Sequence, residues 1–151
     1  MLAGEADSVL ALVMRGFDEF VRPDFPEDGV AEFTRAARTL VLDRPAGHEI
    51  SVAVGGDAIV GMIDVRDCSH ISLFFVETGR QGHGFGRALL QHAIGRCLSA
   101  SPEVTSMTVN SSPWAVDVYA RFGFVATGPE TERNGIRSTP MVRQLRGSLH
   151  R

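Results

Sequence analysis

Twice before the first alternating run, apolar residues fall at helical spacing. Residues 7 to 21 (DSVLALVMRGFDEFV) place Val9, Leu10, Val13, Met14, Phe17 and Phe20 on one face of a 3.6-residue period, which predicts an amphipathic helix. Pro23 and Pro26 end it, and PEDGVAEFTRAARTL starts a second helix whose stripe is Val30, Phe33, Ala37 and Leu40. From His48 the period drops to two. HEISVAV and AIVGMIDV flank Gly55-Gly56-Asp57, the signature of a hairpin. HISLFFV (70–76) is almost wholly apolar, as expected of a central strand covered on both faces. A helix over 84–99 follows, with Phe85, Leu89, Ala93 and Cys97 on one stripe, then a strand from Val104 to Asn110. Ser112 as N-cap and Pro113 at the first position open a short helix. GFVATGPE and IRSTPMVRQL form a terminal antiparallel pair joined at Asn134-Gly135.

The order α-α-β-β-β-α-β-α-β-β implies a mixed sheet in which the strands at 70 and 104 are parallel neighbours through a right-handed crossover. Repeats, low-complexity tracts and linkers are all missing from the sequence, so residues 1–151 read as one α/β domain. Apolar content of 44% and charged content of 22% are those of an ordinary globular chain. A net charge of −3 argues against a nucleic-acid partner. No apolar run reaches the roughly 18 to 20 residues that span a bilayer, so no membrane partner is expected. MLAGEADS carries no basic n-region, and Cys68 and Cys97 are too few for a disulfide framework, which together lead to the expectation of a cytoplasmic protein.

The stretch GRQGHGFGRALL (79–90) carries the first chemical signal. A dinucleotide loop needs G-x-G-x-x-G, but the sixth position is Arg87 counted from Gly82 and Leu89 counted from Gly84. A P-loop needs a lysine that is absent. What remains is Q-x-x-G-x-G at Gln81, Gly84 and Gly86, between a buried strand and a helix. Such a turn leaves unpaired backbone N–H groups aimed outward at a helix N-terminus, a place for an anion. Arg80, His83 and Arg87 add charge around it. A bare glycine-rich turn explains the stretch as well, and the loop alone leaves both readings open.

A second motif lies in VNSSPWAVDVYARFGFVATG (109–128), where Ala115, Tyr119 and Gly123-Phe124 stand in fixed register. With LFFVETGRQGHGFGRALL it resembles the GCN5-related N-acetyltransferase (GNAT) superfamily, and the resemblance covers nearly the whole chain. It implies the acyl-CoA N-acyltransferase fold: a mixed, mostly antiparallel sheet with a central splayed parallel pair, flanked by four helices. Members usually begin with a strand; only six residues precede Asp7, so that edge strand is expected to be short or absent. The resemblance implies acetyl-CoA as cosubstrate and a primary amine as acceptor. Pantetheine would lie against backbone of Phe74, Phe75, Val76 and Thr78, and the pyrophosphate in amides of Gln81, Gly82, His83, Gly84, Phe85, Gly86 and Arg87. Asn110 could add a side-chain amide to the cofactor or simply end its strand.

Acetyl transfer needs a donor to the thioester oxygen, an acid for the leaving thiolate and a base for the amine. The family's usual oxyanion donor corresponds to the Val76 N–H. Tyr119, the one tyrosine in the chain, holds the family's position for the acid; a packing tyrosine is the alternative. A lysine-like amine with a pKa of about 10.4 must shed a proton first. His70 is the candidate base, acting directly or through a water, six residues before Val76 and sharing its face with Ser72 and Phe74 by strand alternation, at the place where the histone-acetylating branch of the resembled family has a glutamate. A strand-end histidine bonded to a neighbouring loop is the alternative, and Glu77 is a weaker second candidate. His, Cys and carboxylates nowhere show metal-ligand spacing, so no metal is expected.

Residues 1–32 hold eight acids against Arg15 and Arg22, which suits either an electrostatic wall for a cationic amine or a solvated helical face. Glu130 or Arg133 could form the far wall. The acceptor stays open among a small amine, an amino acid and a protein N-terminus, and exposed strand edges near the C-terminus leave a homodimer open. The rival readings are a CoA-binding sensor or partner-binding module without turnover, and a nucleotide-binding regulatory domain.

Overall fold

The structure is a computed structural model and describes residues 1–82 and 84–145. Its sheet runs β1-β2-β3-β4-β7-β5, with β6 paired to β7 off that path. These strands are β1 His48–Gly55, β2 Ala58–Arg66, β3 His70–Val76, β4 Ser106–Ser111, β5 Val125–Ala126, β6 Thr131–Arg133 and β7 Ile136–Gln144. Helices α1 (Ala6–Gly16) and α2 (Glu27–Arg38) precede the sheet, each prolonged by a π-helical turn, Phe17–Val21 and Thr39–Asp43. Helix α3 (Phe85–Ala100) joins β3 to β4, and α4 (Val116–Arg121) follows β4. A 3₁₀ turn, Ala3–Glu5, precedes α1, and no strand does so among the described residues.

Two apolar layers hold the sheet between its helices. On one face Val9, Leu12, Val13 and Val41 meet Ile50, Met62 and Leu73. On the other, Leu89, Leu90, Ala93 and Cys97 of α3 meet Ile63, Ile71 and Met107, with Tyr119 and Phe124 closing the layer. Phe17 is fully buried and stacks on Phe33 at 4.0 Å, which fixes the end of α1 against α2. Burial of a phenylalanine of this kind contributes roughly 1.5–3 kcal/mol.

The Gly55-Gly56-Asp57 hairpin forms as expected, with Gly55 opposite Ala58 and Gly56 at φ +63°. The terminal pair differs from expectation. Asn134 and Gly135, both at positive φ, join β7 to the three-residue β6, while the 123–130 segment gives only β5, which pairs with the far end of β7. Thr131, Glu132 and Arg133 of β6 are all exposed, so no alternation of apolar residues marks that strand.

Two features of β3 set up the site. It pairs with β4 in parallel only at His70–Thr108 and Ile71–Val109, and beyond Ile71 the strands part, with Asn110 and Ser111 of β4 pairing with β7. The second feature is a bulge. Asp64 faces Leu73 while the next residue, Val65, faces Ile71, leaving Ser72 as an extra residue in β3. As a result Ile71 packs on the α3 side and Leu73 on the α1 side. Phe74 and Val76 then return to the α3 side and Phe75 to the α1 side.

Candidate active site

Glu77 donates its N–H to Val60 O at 2.7 Å, so strand alternation turns the N–H and C=O of Val76, and likewise of Phe74, away from β2. They face the gap left where β4 parts from β3. Gln81 Nε2 reaches back to donate to Val76 O at 3.1 Å, anchoring the loop that follows to the open edge of the strand. Two backbone donors, Phe74 N–H and Val76 N–H, therefore point into the gap.

Past the strand the chain turns through Gly79, Gly82 and Gly84 at φ of +88°, +83° and +87°. At Gly82 and Gly84 a Cβ would meet nothing within 4 Å, so these glycines edge open space. Gly84 is the N-cap of α3 and carries no side chain to satisfy the first helical N–H groups. Positive-φ turns leading into a helix N-terminus make a concave donor surface suited to an anion. The cavity above it has a volume of about 440 Å³ and is lined by Phe74, Val76, Gln81, Gly82, Gly84, Gly86 and Arg87 on one side. Trp114, Ala115, Val118, Tyr119, Arg121 and Phe122 line the other. Arg87 lies over the Phe122 ring at 5.5 Å, which holds its guanidinium at this mouth. The cavity is apolar at the strand end, and basic and rich in N–H groups at the loop end.

A second cavity of about 260 Å³ adjoins the first on the α1 side, between the α1–α2 connection, the open edge of β3, and the start of β7. The two share Phe74, Val76, Gln81, Trp114, Ala115 and Tyr119. Tyr119 thus stands where they meet, 7% exposed, its ring edge-on to Phe124 at 5.4 Å and 6.2 Å from Phe74. Burial pushes its phenol above the ordinary tyrosine value, which keeps the proton on oxygen at neutral pH. Phe20 and Trp114 stack at 4.4 Å, joining the π-helical turn after α1 to the approach to α4.

Several expected residues sit elsewhere. Phe75 turns to the α1 side, edge-on to Phe33, and like Asn110 lines the second cavity, not the first. Asn110 also lies inside β4 instead of ending it. Thr78 and Phe85 line neither cavity. The Thr78 hydroxyl donates to Glu19 Oε1 at 2.6 Å and ties the loop to the π-helical turn after α1. His83 lies outside the described residues.

His70 does not stand on the face of β3 that its spacing predicts. The bulge at Ser72 breaks the alternation that would have aligned it with Phe74 and Val76, and it stands where β3 and β4 are still paired. Its Nδ1 is 2.7 Å from Thr108 Oγ1, and it lines neither cavity. Val76 lies six positions further on, about 20 Å along the strand, beyond the reach of a direct base. Burial first, then Arg66 and His48, lower its pKa. The folded protein therefore favours neutral His70, a preference that costs stability only as pH falls below the unfolded value of about 6.5. His70→Asn is expected to flatten part of the fall in Tm between neutral pH and pH of about 5; thermal melts at stepped pH measure it. Glu77, the second candidate, lines neither cavity and pairs with Arg15 at 3.3 Å.

One buried acid escaped the sequence reading. Asp64 is wholly buried, with Oδ2 2.6 Å from His48 Nδ1 and Oδ1 without a hydrogen-bond partner among the described residues. Burial raises its pKa, against the opposing pull of His48 and of the Ser72 hydroxyl. Arg121, Trp114 and Arg137 also line the cavities without having been foreseen. Arg121 was legible, two residues past Tyr119 at the end of a short helix, whereas Arg137 depends on where the β6–β7 hairpin docks. The acids of residues 1–32 form no wall, as none lines the second cavity. Asp18 pairs with Arg22, Glu32 with Arg35, and Asp28 accepts from the Gly29 N–H.

A sheet opened between two parallel strands, with a glycine loop at a helix N-terminus beside the opening, defines an acyl-CoA-type transferase fold. Residues 21–145 match the acetyltransferase (GNAT) domain family, and the chain belongs to it. Solved structures with the same fold include a GCN5-related N-acetyltransferase from Rhodopseudomonas palustris, 19% identical, with TM-score 0.75 over 96% of this chain and 92% of that one. A PaiA N-acetyltransferase from Thermoplasma acidophilum, solved in complex with coenzyme A, is 10% identical with TM-score 0.77 over 96% of each chain. Tetrahymena GCN5 is 15% identical with TM-score 0.68 over 93% and 86%. No curated protein matches the chain significantly.

Substituting Gly84 with valine is expected to raise the acetyl-CoA KM by roughly tenfold or more, since a β-branched residue at φ +87° is strained by about 1–3 kcal/mol and its side chain enters the cradle. Initial rates at varied acetyl-CoA, with a melt to check folding, would measure this; an unchanged KM would displace the cradle from this loop.

Proposed function

We propose that the protein transfers the acetyl group of acetyl-CoA to a primary amine by direct attack on the thioester. The observation that supports this most is the position of Tyr119 at the junction of the two cavities, beside the backbone donors of Phe74 and Val76. The amides from Gln81 to Arg87, with Arg87 and Arg121, hold the pyrophosphate. Acetyl-CoA supplies the activated acetyl group. Phe74 N–H or Val76 N–H donates to the thioester oxygen as negative charge grows there, an arrangement typically worth about 2.7–4 kcal/mol per donor. Tyr119 protonates the departing sulfur, whose thiolate has a pKa of about 8.5. The second cavity positions the amine, and excluding water from it strengthens every one of these contacts.

The test is release of free thiol from acetyl-CoA across a panel of amines, amino acids and peptides, with calorimetric titration of acetyl-CoA alongside. Amine-dependent thiol release supports the reading. Binding without release from any amine overturns it in favour of a CoA-binding sensor, and absence of binding overturns both.

A further inference from the structure

The second cavity is unusual for a place where an ammonium ion should arrive. Phe20, Phe25, Phe33, Phe75 and Trp114 furnish much of its wall, and Arg137 is the one charged side chain that lines it among the described residues. It is lined by no carboxylate and no histidine among those residues. An alkylammonium entering here would lose its water without gaining an anion, and with a pKa of about 10.4 only about one amine in 2,500 is neutral at pH 7. An arylamine enters neutral, and its ring matches an aromatic wall.

Arg137 gives the cavity its charge. Its Nε and Nη2 both meet the same oxygen of Glu130 at 2.9 Å, which fixes the guanidinium plane. Nη1 has only a 3.4 Å contact with the Asp24 carbonyl. Nη1 carries two N–H groups, so beside that long contact it keeps donor capacity, and a guanidinium in the lining of the cavity suits a carboxylate. Ile136, Arg137 and Ser138 of β7 line this cavity alone, while Tyr119 lines both cavities. The size, about 260 Å³, suits one substituted ring.

We propose that the acceptor is an arylamine bearing a carboxylate, with the ring among the phenylalanines, the carboxylate on Arg137 and the amine toward Tyr119. This rests on the amine-acetylating reading above. The nitrogen lone pair forms the C–N bond as the C–S bond breaks with its electron pair on sulfur. Tyr119 gives its proton to that sulfur, and the proton lost by nitrogen restores the phenol through solvent.

The test compares para-aminobenzoate, para-aminobenzamide and spermidine as acceptors for the wild type and for Arg137→Gln. For the wild type, kcat/KM for the aminobenzoate should exceed that for the uncharged amide by about tenfold or more, the size of one charge-assisted hydrogen bond, with spermidine below both. In Arg137→Gln the ratio should collapse toward unity, with the acetyl-CoA KM unmoved. The wild-type ranking decides the matter on its own should the variant fail to fold. A wild-type preference for spermidine would overturn the inference. So would a ratio that Arg137→Gln leaves unchanged. In both outcomes the acetyltransferase reading survives; only a lack of thiol release with every amine tried would sink that reading as well.

Discussion

Tyr119→Phe is expected to lower kcat by roughly 100-fold or more while leaving the acetyl-CoA KM within about twofold, the pattern of a lost general acid. The variant removes one oxygen from a ring that is otherwise packed against Phe74 and Phe124, so the apolar layer on the α3 side stays intact. A thermal melt should show little change. Under the proposed mechanism, without the phenol the thiolate must leave as an anion or wait for water. A second signature follows from burial. Since the phenol pKa lies above its ordinary value, the wild-type rate should not decline with rising pH on account of this group until pH is well past about 10. Steady-state rates against pH for both proteins, with a saturating acceptor, read both effects. Equal kcat values would reduce Tyr119 to a packing residue and move the proton source elsewhere.

Gly29→Ala is expected to destabilise the protein and loosen acceptor binding together. A Cβ at residue 29 would lie 2.1 Å from the carbonyl oxygen of Gly135 and 2.7 Å from its carbonyl carbon. Both are backbone atoms, so the first turn of α2 and the β6–β7 turn would have to separate. Overpacking of this kind costs about 1–3 kcal/mol, more than the ~1 kcal/mol that alanine gains over glycine in a helix interior. For a chain of this size a net loss of about 1 kcal/mol lowers Tm by roughly 2–4 °C. The same displacement carries Ile136, Arg137 and Ser138 away from the second cavity. The KM for the acceptor should rise several-fold while that for acetyl-CoA stays put, since the glycine loop is on the far side of Tyr119. Calorimetry and paired initial-rate series separate the two; a variant as stable as the wild type, with both KM values unchanged, would show that the two turns part without consequence.

Much of this was legible in the residues. Gly55-Gly56-Asp57 between two alternating runs dictates its hairpin, and the near-continuous apolar run 70–76 dictates a strand covered on both faces, because these patterns have few other ways to bury their side chains. The glycines after it leave a plain turn and an exposed backbone cradle both open, and only their positive φ at Gly79, Gly82 and Gly84 beside open space shows which kind of turn they make. Other features leave no such trace. Arg137 is one of fifteen basic residues, and only the close approach of α2 to the β6–β7 turn brings it to the cavity. β6 is three exposed polar residues held by β7 alone, invisible to any test of periodicity. The bulge at Ser72 changes pairing without calling for a glycine or a proline, and it alone separates His70 from the face it was assigned.

That extra residue also bears on how this chain can be compared with its relatives. Downstream of Ser72, counting positions from the glycine loop preserves which side of the sheet each residue occupies. Upstream, the same count is out of phase by half a repeat between a chain with the bulge and one without it. Two proteins aligned flawlessly by sequence through this strand would then have inside and outside exchanged at residues 70 and 71. A role carried across at those positions would pass to the wrong face, however well the letters agree. Gain or loss of a single strand residue can therefore exchange the two apolar layers at the start of β3 while Phe74, Val76 and Tyr119 keep their places.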